Sequence, residues 1–326
     1  MILAGDIGGT SSRLAFFEVR GGRLTPVAEK IYPSRQYQAL DDIVADFAAK
    51  PPAEVESACF GIPGPVRNGR VVTPNLSWVV DSRSLAATLG LPGVKLINDL
   101  EANAYGIAAL EPQDTVTLNE GAPEARGNRA VISVGTGLGE AGLYWDGRTH
   151  LPFACEGGHV DFSPRDELEA QMMLHLKSKF HHVSYERVLS GPGLHLIYQF
   201  LKDTGHGAET PAVARQFEAG DPSAVISRAG LEGSCPLCVK TLNLFASLYG
   251  AEAGNLGLKI MATGGVFIGG GIAPKILKKL QEPAFLEAFM AKGRMKPLLQ
   301  SMPVRVILRE TTALLGAACC AVQARP

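Results

Sequence analysis

The sequence predicts a two-domain α/β protein built on mixed sheets, and three observations carry that expectation. Its 326 residues exceed the size at which a single core usually stops growing. The first hundred residues run through strand hairpins and then alternate helix with strand. A pattern of apolar run, Gly-rich turn with Thr, and second apolar run occurs twice, at Gly8-Gly9-Thr10 and at Gly135-Thr136-Gly137.

In chain order, ILAGDIGGTSSRLAFFEV reads as strand, Gly turn, strand. Ile2, Leu3 and Ala4 run into Gly8-Gly9, and Leu14 to Val19 is β-prone. Gly21-Gly22 marks a second turn, followed by a short strand near Leu24 to Tyr32. Leu40, Ile43, Val44 and Phe47 share one face of a helix from Leu40 to Ala49. SACFGIPGPV is a strand ending in a Gly/Pro turn. SRSLAATLG is a short helix with Ser82 as its cap and Gly90 as its stop. VKLIN is a buried strand and LEANAYGIAAL a helix. AVISVGTGLGEAGLYW again reads strand, Gly turn, strand. From Asp166 to Phe200 the pattern is mostly helical, and Cys235 to Leu258 is a longer helix. KIMATGGVFIGGGIAPKILKKL gives a strand, a Gly-rich turn and a helix from Ala273 to Leu280. VRVILRE is a late strand. TTALLGAACCAV is a final small-residue helix, expected to return to the first domain.

Hydrophobic residues make up 46% of the chain and charged residues 19%, which suits a globular protein with a sizeable core. Net charge is -1, from 31 basic and 32 acidic residues with no basic block, which argues against nucleic acid and anionic membrane as partners. MILAGDIGG is too short an apolar run for a signal peptide, and Gly, Pro or charge break every apolar stretch before membrane-span length. The expected location is the cytoplasm, with the six cysteines as free thiols. Cys235 and Cys238 form a single CxxC without a second ligand pair at zinc spacing, and read as small buried thiols one helical turn apart.

Three Gly-rich stretches follow apolar strands: DIGGT, GTGLG and GGVFIGGG. None is a Walker loop, and GTGLGE leads into a strand where a dinucleotide fingerprint needs a helix. Each can be a plain tight turn. Each can also aim backbone N–H groups at an anion, since glycine removes the side chain and tolerates positive φ. GGVFIGGGIAP, with a helix after it, offers a flat surface to a base or ribose. Asp6 sits beside the first turn, where a carboxylate repels phosphate unless a cation such as Mg²⁺ lies between them. A turn-capping Asp is the alternative.

Asp99 stands where a buried strand gives way to a helix. It can cap the helix starting at Leu100, and a helix N-terminus also keeps a carboxylate ionised and ready to accept a proton. Asn98 adds a donor and an acceptor suited to a hydroxyl. CEGGHVDF brings Glu156 and His159, and SYERVLSGPG brings Glu186. Singly each Glu reads as a solvated turn residue. Together with Asn98 and Asp99 they offer the mixture of donors and acceptors that a polyhydroxylated ligand needs.

Taken together, GDIGGTSSRLA, VKLINDLEANA, SVGTGLGEAGL, CEGGHVDFSP, ERVLSGPGL, SCPLC, GGVFIGGGIAP and TTALLGAA resemble the bacterial glucokinase family of the hexokinase–actin–Hsp70 superfamily, in the family's order and over nearly the whole chain. The resemblance implies two ribonuclease-H-like (actin-like ATPase) domains flanking a deep cleft. The small one would hold residues 1–110 plus about 300–326, and the large one 111–299. It implies ATP-dependent phosphorylation of D-glucose to glucose 6-phosphate, with ATP and Mg²⁺ as cofactors and a homodimer as the usual assembly. The family's base falls on Asp99, and its sugar contacts on Asn98, Asp99, Glu156, His159 and Glu186. Its phosphate turns fall on Gly5, Asp6, Ile7, Gly8, Gly9 and Thr10 and on Gly135, Thr136 and Gly137, with Asp6 holding Mg²⁺ through water. The adenosine turn falls near Gly264, Gly265 and Gly270. One departure is in the first turn, where Ser11 and Ser12 follow Thr10 in place of the family's frequent Asn-Ala. A kinase for another hexose, one using another phosphoryl donor such as polyphosphate, and a non-catalytic ATP- or sugar-binding regulator are the alternatives. A regulator often adds a DNA-binding segment ahead of the first strand, with which this chain begins.

Overall fold

Alternation of apolar side chains along the first strand sets the architecture. In β1 (Ile2–Ile7), Leu3 and Ile7 join one core cluster while Ile2 and Ala4 join another. A strand that is apolar on both faces has to be covered on both sides. The computed structural model, which describes residues 1–73 and 76–323, shows how that is met. β2 (Ser11–Arg20) and β3 (Arg23–Pro33) fold back as antiparallel neighbours. Then come α1 (Leu40–Ala48) and β4 (Ser57–Ile62), which lies parallel to β1. β5 (Arg70–Val72) and β6 (Val79–Asp81) pair as a small antiparallel ribbon. α2 (Ser82–Leu89), β7 (Lys95–Asn98) parallel to β4, and α3 (Asp99–Ile107) complete the run. The sheet order is β3-β2-β1-β4-β7. Helix α2 is capped by Asp81 and not by Ser82, because the Asp81 carboxylate accepts the Arg83 N–H at 2.9 Å; Gly90, at φ 65°, ends the helix as expected.

The chain divides into two units. The first holds 1–112, 151–154 and the chain from Arg309 onward, and the second holds 113–150 and 155–308. In the second unit the elements are β8 (Thr115–Asn119), β9 (Arg129–Val134) and β10 (Leu138–Trp145). β11 (His150–Cys155) follows, its residues 151–154 grouping with the first unit. Next are α4 (Glu167–Lys177), α5 (Gly191–Asp203), α6 (Pro211–Ala219), α7 (Pro222–Glu232) and α8 (Pro236–Lys259). β12 (Val266–Gly269), α9 (Leu277–Leu280), α10 (Pro283–Met290), α11 (Lys296–Ser301) and β13 (Val304–Ile307) close it. Within this sheet β10-β9-β12-β13-β8 are successive neighbours, with β9, β12 and β13 mutually parallel. The run β10-β9-β12-β13 repeats the hairpin-then-parallel plan of β2-β1-β4-β7, which is the two-copy pattern met in the sequence.

The stretch from Asp166 to Phe200 is mostly helical as expected, in the form of two helices, α4 and α5, separated by loop and a short 3-10 turn at Tyr185–Arg187. One expectation changes here. The return to the first unit begins at Arg309 and not near residue 300, because β13 hydrogen-bonds between β12 and β8 in the second sheet. The final helix, α12 (Thr312–Gln323), packs in the first unit against α3, β1 and β4. Gly106 and Gly316 make that crossing possible: a Cβ at Gly106 would strike the Thr312 carbonyl, and one at Gly316 the Ala102 carbonyl. Among the described residues no helix is long and apolar enough to cross a membrane.

Candidate active site

In the first unit, the turn between β1 and β2 is held from behind. Gly8 N–H donates to the Ser11 carbonyl at 2.9 Å, and the Ser34 hydroxyl donates to the Gly8 carbonyl at 2.7 Å. The buried Ser12 hydroxyl lies 2.9 Å from that of Ser34, so the departure at this position serves to brace the turn. A Cβ at Gly8 would come within 2.8 Å of the Ser11 carbonyl, which is why the turn needs glycine there. Gly5 and Ile7, expected in a phosphate turn, are instead buried strand residues; a Cβ at Gly5 would overlap the Phe60 ring, so this glycine is a packing residue. The turn itself is Gly8, Gly9 and Thr10, with Thr10 exposed.

Asp6 points from the end of β1 and is half-buried. Its pKa is pushed up to about 6 by burial first and by the Asp99 carboxylate second, with Arg13 opposing. Asp99 approaches the strand position paired with Asp6. Gly61, the parallel partner of Asp6, makes the approach possible: a Cβ there would stand 2.7 Å from the Ala102 Cβ and 3.8 Å from the Asp99 Cα. Gly61 is a close-packing residue beneath α3 that motif reading missed. Its signal was a glycine inside an otherwise β-prone run, SACFGI.

At the strand-to-helix junction Asn98 is the N-cap and Asp99 is the first helical residue, which corrects the reading of Asp99 as the cap. Asn98 Oδ1 accepts the Leu100 N–H at 2.9 Å, while Nδ2 donates to the Gly64 carbonyl at 3.2 Å. Asp99 Oδ1 accepts from the same Leu100 N–H at 2.9 Å. The strand rule explains the exchange: Asn98 still has extended backbone, as a cap requires, whereas Asp99 already belongs to the helix. The Asp99 carboxylate stands at the positive end of α3.

In the second unit three motifs meet. The Gly135–Gly137 turn closes with Gly135 N–H donating to the Gly137 carbonyl at 2.9 Å, and Gly191 N–H donates to the Gly135 carbonyl at 2.8 Å. Glu186 Oε2 accepts the Leu138 N–H at 3.0 Å, and its other oxygen lies 4.0 Å from His159 Nδ1. Gly137 has to be glycine for this, since a Cβ would sit 2.5 Å from Glu186 Oε2. Glu156 caps the short turn Gly157–His159, and its carbonyl accepts the His159 N–H at 3.1 Å. Gly157 and Gly158 lie flat on β10, where Cβ atoms would overlap the Glu140 carboxylate and the Leu138 carbonyl. Glu140 is almost fully buried, and its pKa is pushed up to about 8 by burial and by neighbouring Glu252, with Lys259 opposing. One carboxylate, Glu186, thus accepts a hydrogen bond beside a glycine turn and faces the His159 turn at 4.0 Å.

A cavity of about 900 Å³ opens beside the same turn, lined by Gly135, Thr136, Gly191, Ser223, Gly271 and Lys275 among others. That volume is in the range of small-molecule and cofactor sites. Gly270, at φ 85°, turns the chain under Val134, whose carbonyl accepts the Ile272 N–H at 3.2 Å. Gly264 and Gly265, expected in the adenosine turn, lie at the other end of β12. They pack there on Gly127, Asn128 and Pro303, so they do not line this cavity. The expected helix after these glycines is also shorter, with only Leu277–Leu280 in α-helical form. Ser223 and Lys275 were not singled out in the sequence. The Asp221 cap and Pro222 that begin α7 were the available signal, because a helix start near a Gly turn suits an anion. Cys235 and Cys238 are both buried at the start of α8.

The glucokinase family model matches residues 3–324. Glucokinase of Trichormus variabilis is 43% identical to this chain, covering 99% of each. Glucokinase of Synechocystis is 37% identical, covering 98% of each. A crystal structure of glucokinase from an Antarctic psychrotroph superposes with a TM-score of 0.85 at 31% identity, covering 99% of each chain. The two hairpin-then-parallel sheets are those of the actin-like ATPase fold. With its motifs in order and the match running nearly end to end, this chain belongs to the glucokinase family.

Proposed function

We propose that this protein transfers the γ-phosphoryl group of ATP to the 6-hydroxyl of D-glucose, giving glucose 6-phosphate. The observation that carries the reading is the grouping around Glu186, which accepts the Leu138 N–H beside Gly135–Gly137 and faces the His159 turn at 4.0 Å. A sugar hydroxyl and a phosphate can be handled by neighbouring parts of one rigid cluster. The curated relatives and the family model support the same activity.

Asp99 is the proposed base. It would accept the proton of the primary hydroxyl as that oxygen attacks phosphorus, a role worth about 10²–10⁴-fold. Asn98, Glu156, His159 and Glu186 are the proposed partners of the remaining hydroxyls, each supplying a donor or an acceptor. Backbone N–H groups of the turns at Gly8–Thr10 and Gly135–Gly137 would bind phosphate oxygens. Positioning and charge stabilisation dominate phosphoryl transfer, so rigid turns matter more than reactive groups. The cavity beside Thr136, Gly191 and Gly271 is the proposed place of the adenosine moiety.

The residues fit Mg²⁺ held through water. Burial and Asp99 raise the Asp6 carboxyl to about 6 against the opposing Arg13, so a cation there would offset part of the negative charge of the two carboxylates. Mg²⁺ is commonly held by one or two carboxylates, waters and substrate phosphates, which asks for no all-protein cage. When bound it would neutralise charge on the phosphates. A homodimer, a cytoplasmic location and the first step of glycolysis complete the proposal.

The test is ADP release by the purified protein with a panel of sugars and phosphoryl donors. Glucose with ATP should give the highest kcat/KM. Turnover that favours mannose, fructose or polyphosphate would reassign the substrate, and ligand-dependent melting without sugar phosphate would reassign the protein as a binding module.

A further inference from the structure

The Gly turns of the candidate site stand at the C-terminal ends of β9 and β12, and the opposite ends of these strands are built as firmly. Gly127 and Gly265 adopt positive φ, at 123° and 121°. Thr263 Oγ1 donates to the Arg126 carbonyl at 2.7 Å, and Gly264 N–H to the Asn128 carbonyl at 2.9 Å. Asn128 donates to the Ile260 carbonyl at 2.7 Å and accepts the Trp145 N–H at 2.9 Å. This network shapes two adjoining cavities, of about 360 and 370 Å³, which share Ala125, Arg129 and Gly264 as walls.

Their charge is one-sided. Arg126 and Arg129 line the first cavity, Arg129 and Arg305 the second, and among the described residues Glu120 is the one carboxylate lining either. Across the sheet Arg305 is the register partner of Phe267, and the Arg129 guanidinium stands 5.8 Å from the Phe267 ring centroid. Two like charges therefore flank one buried ring. Arg129 Nε is buried without a hydrogen-bond partner among the described residues. Burial, and then the Arg305 charge, press the Arg129 pKa down, so the protein spends stability to keep this cation in place. The first cavity adds an aromatic wall: the Trp145 and His150 rings lie 4.7 Å apart, and His150 Nε2 donates to the Gly127 carbonyl at 3.0 Å.

We infer that these cavities form a second binding site, for a small-molecule phosphate monoester. The guanidiniums of Arg129 and Arg305 would take the phosphate oxygens, and the organic part would lie against Trp145 and His150. Arginine forks match phosphate geometry, and a dianion balances two cations that otherwise repel each other. Each cavity lies in the size range of small-molecule pockets. The inference is independent of the proposed activity, since no residue of that site lines either cavity except Gly264, which the structure removes from the adenosine turn.

The full chain has two tryptophans, so a Trp78→Phe background leaves Trp145 as the sole reporter of this cavity. Its emission would be followed during titration with glucose 6-phosphate, AMP, inorganic phosphate and sulfate. At least one monoester should give a saturable change about 10-fold tighter than inorganic phosphate. Arg129→Gln and Arg305→Gln should each weaken it by about 10-fold or more, as loss of a charge-assisted hydrogen bond does. A response to glucose 6-phosphate alone assigns a sugar phosphate, and one to AMP alone a nucleotide. Equilibrium dialysis on the wild-type chain with the same labelled monoester should lose one bound equivalent per chain in Arg305→Gln. If that variant does not melt cooperatively, the exposed Arg126→Gln replaces it. Unchanged Trp145 emission, arginine variants that bind as tightly as the parent, or inorganic phosphate binding equally well would each overturn the site.

Discussion

Replacing Asp99 by Asn removes a negative charge beside Asp6 while keeping the side chain's shape, and its first consequence is on Asp6 itself. The folded protein raises the Asp6 carboxyl from 3.8 to about 6. That rise is on the order of 3 kcal/mol in favour of the protonated form. Burial is the larger cause and Asp99 the second. Asp99→Asn should therefore lower the Asp6 pKa while leaving it above 3.8. Near pH 6, where the wild-type carboxyl is about half protonated, Asp6 of the variant should be more ionised than in wild type. The sign for stability follows. A raised carboxyl pKa contributes fully below 3.8, and that contribution is lost as pH rises through about 6. Wild type should lose melting temperature from this group between those values, and the variant should lose less, by on the order of 1 kcal/mol. Carboxyl-carbon NMR across pH 3–8, with melts at both ends, measures both effects. An Asp6 titration that does not move in Asp99→Asn would mean that the two carboxylates are not neighbours, and the proposed geometry of the first unit would fall with it.

Other predictions concern the glycines and the buried acid. Gly61→Ala should destabilise the protein by about 1–3 kcal/mol, because its Cβ meets the Ala102 Cβ at 2.7 Å, and turnover should fall as α3 shifts Asp99; thermal melts and kcat measure the two losses. Glu140→Gln mimics the protonated acid without titrating. Wild type should lose stability as pH rises from 4.5 through about 8, so the advantage of the variant should grow over that range and level off above it in paired melts. Ser190→Ala removes the hydroxyl that caps α5 through the Gly193 N–H at 3.0 Å, and should cost about 1 kcal/mol by denaturant titration.

Most of the fold could be read from local pattern. The strand Ile2–Ile7, the helix starting at Leu40 and the hairpin around Gly135–Gly137 each carry period and turn chemistry within a dozen residues. Element ends were harder, because capping depends on backbone angle as well as residue type. Asp81 displaced Ser82 as a cap, and Asn98 displaced Asp99. The glycines divided according to what lay behind them. Gly8 and Gly137 turn the chain near the proposed site. Gly5 makes room for Phe60, and Gly264 for Gly127 and Asn128, which only tertiary structure shows. Glu186 reaches Leu138 across 48 residues of sequence, so the motif resemblance pointed to it while spacing alone could not.

The central claim is that the Asp99 carboxylate accepts the sugar's proton, and paired turnover and binding of Asp99→Asn test it most directly. Glucose-dependent ADP release should drop by about 10²–10⁴-fold, while glucose still raises the melting temperature of the variant. Release within a few-fold of wild type would contradict the account.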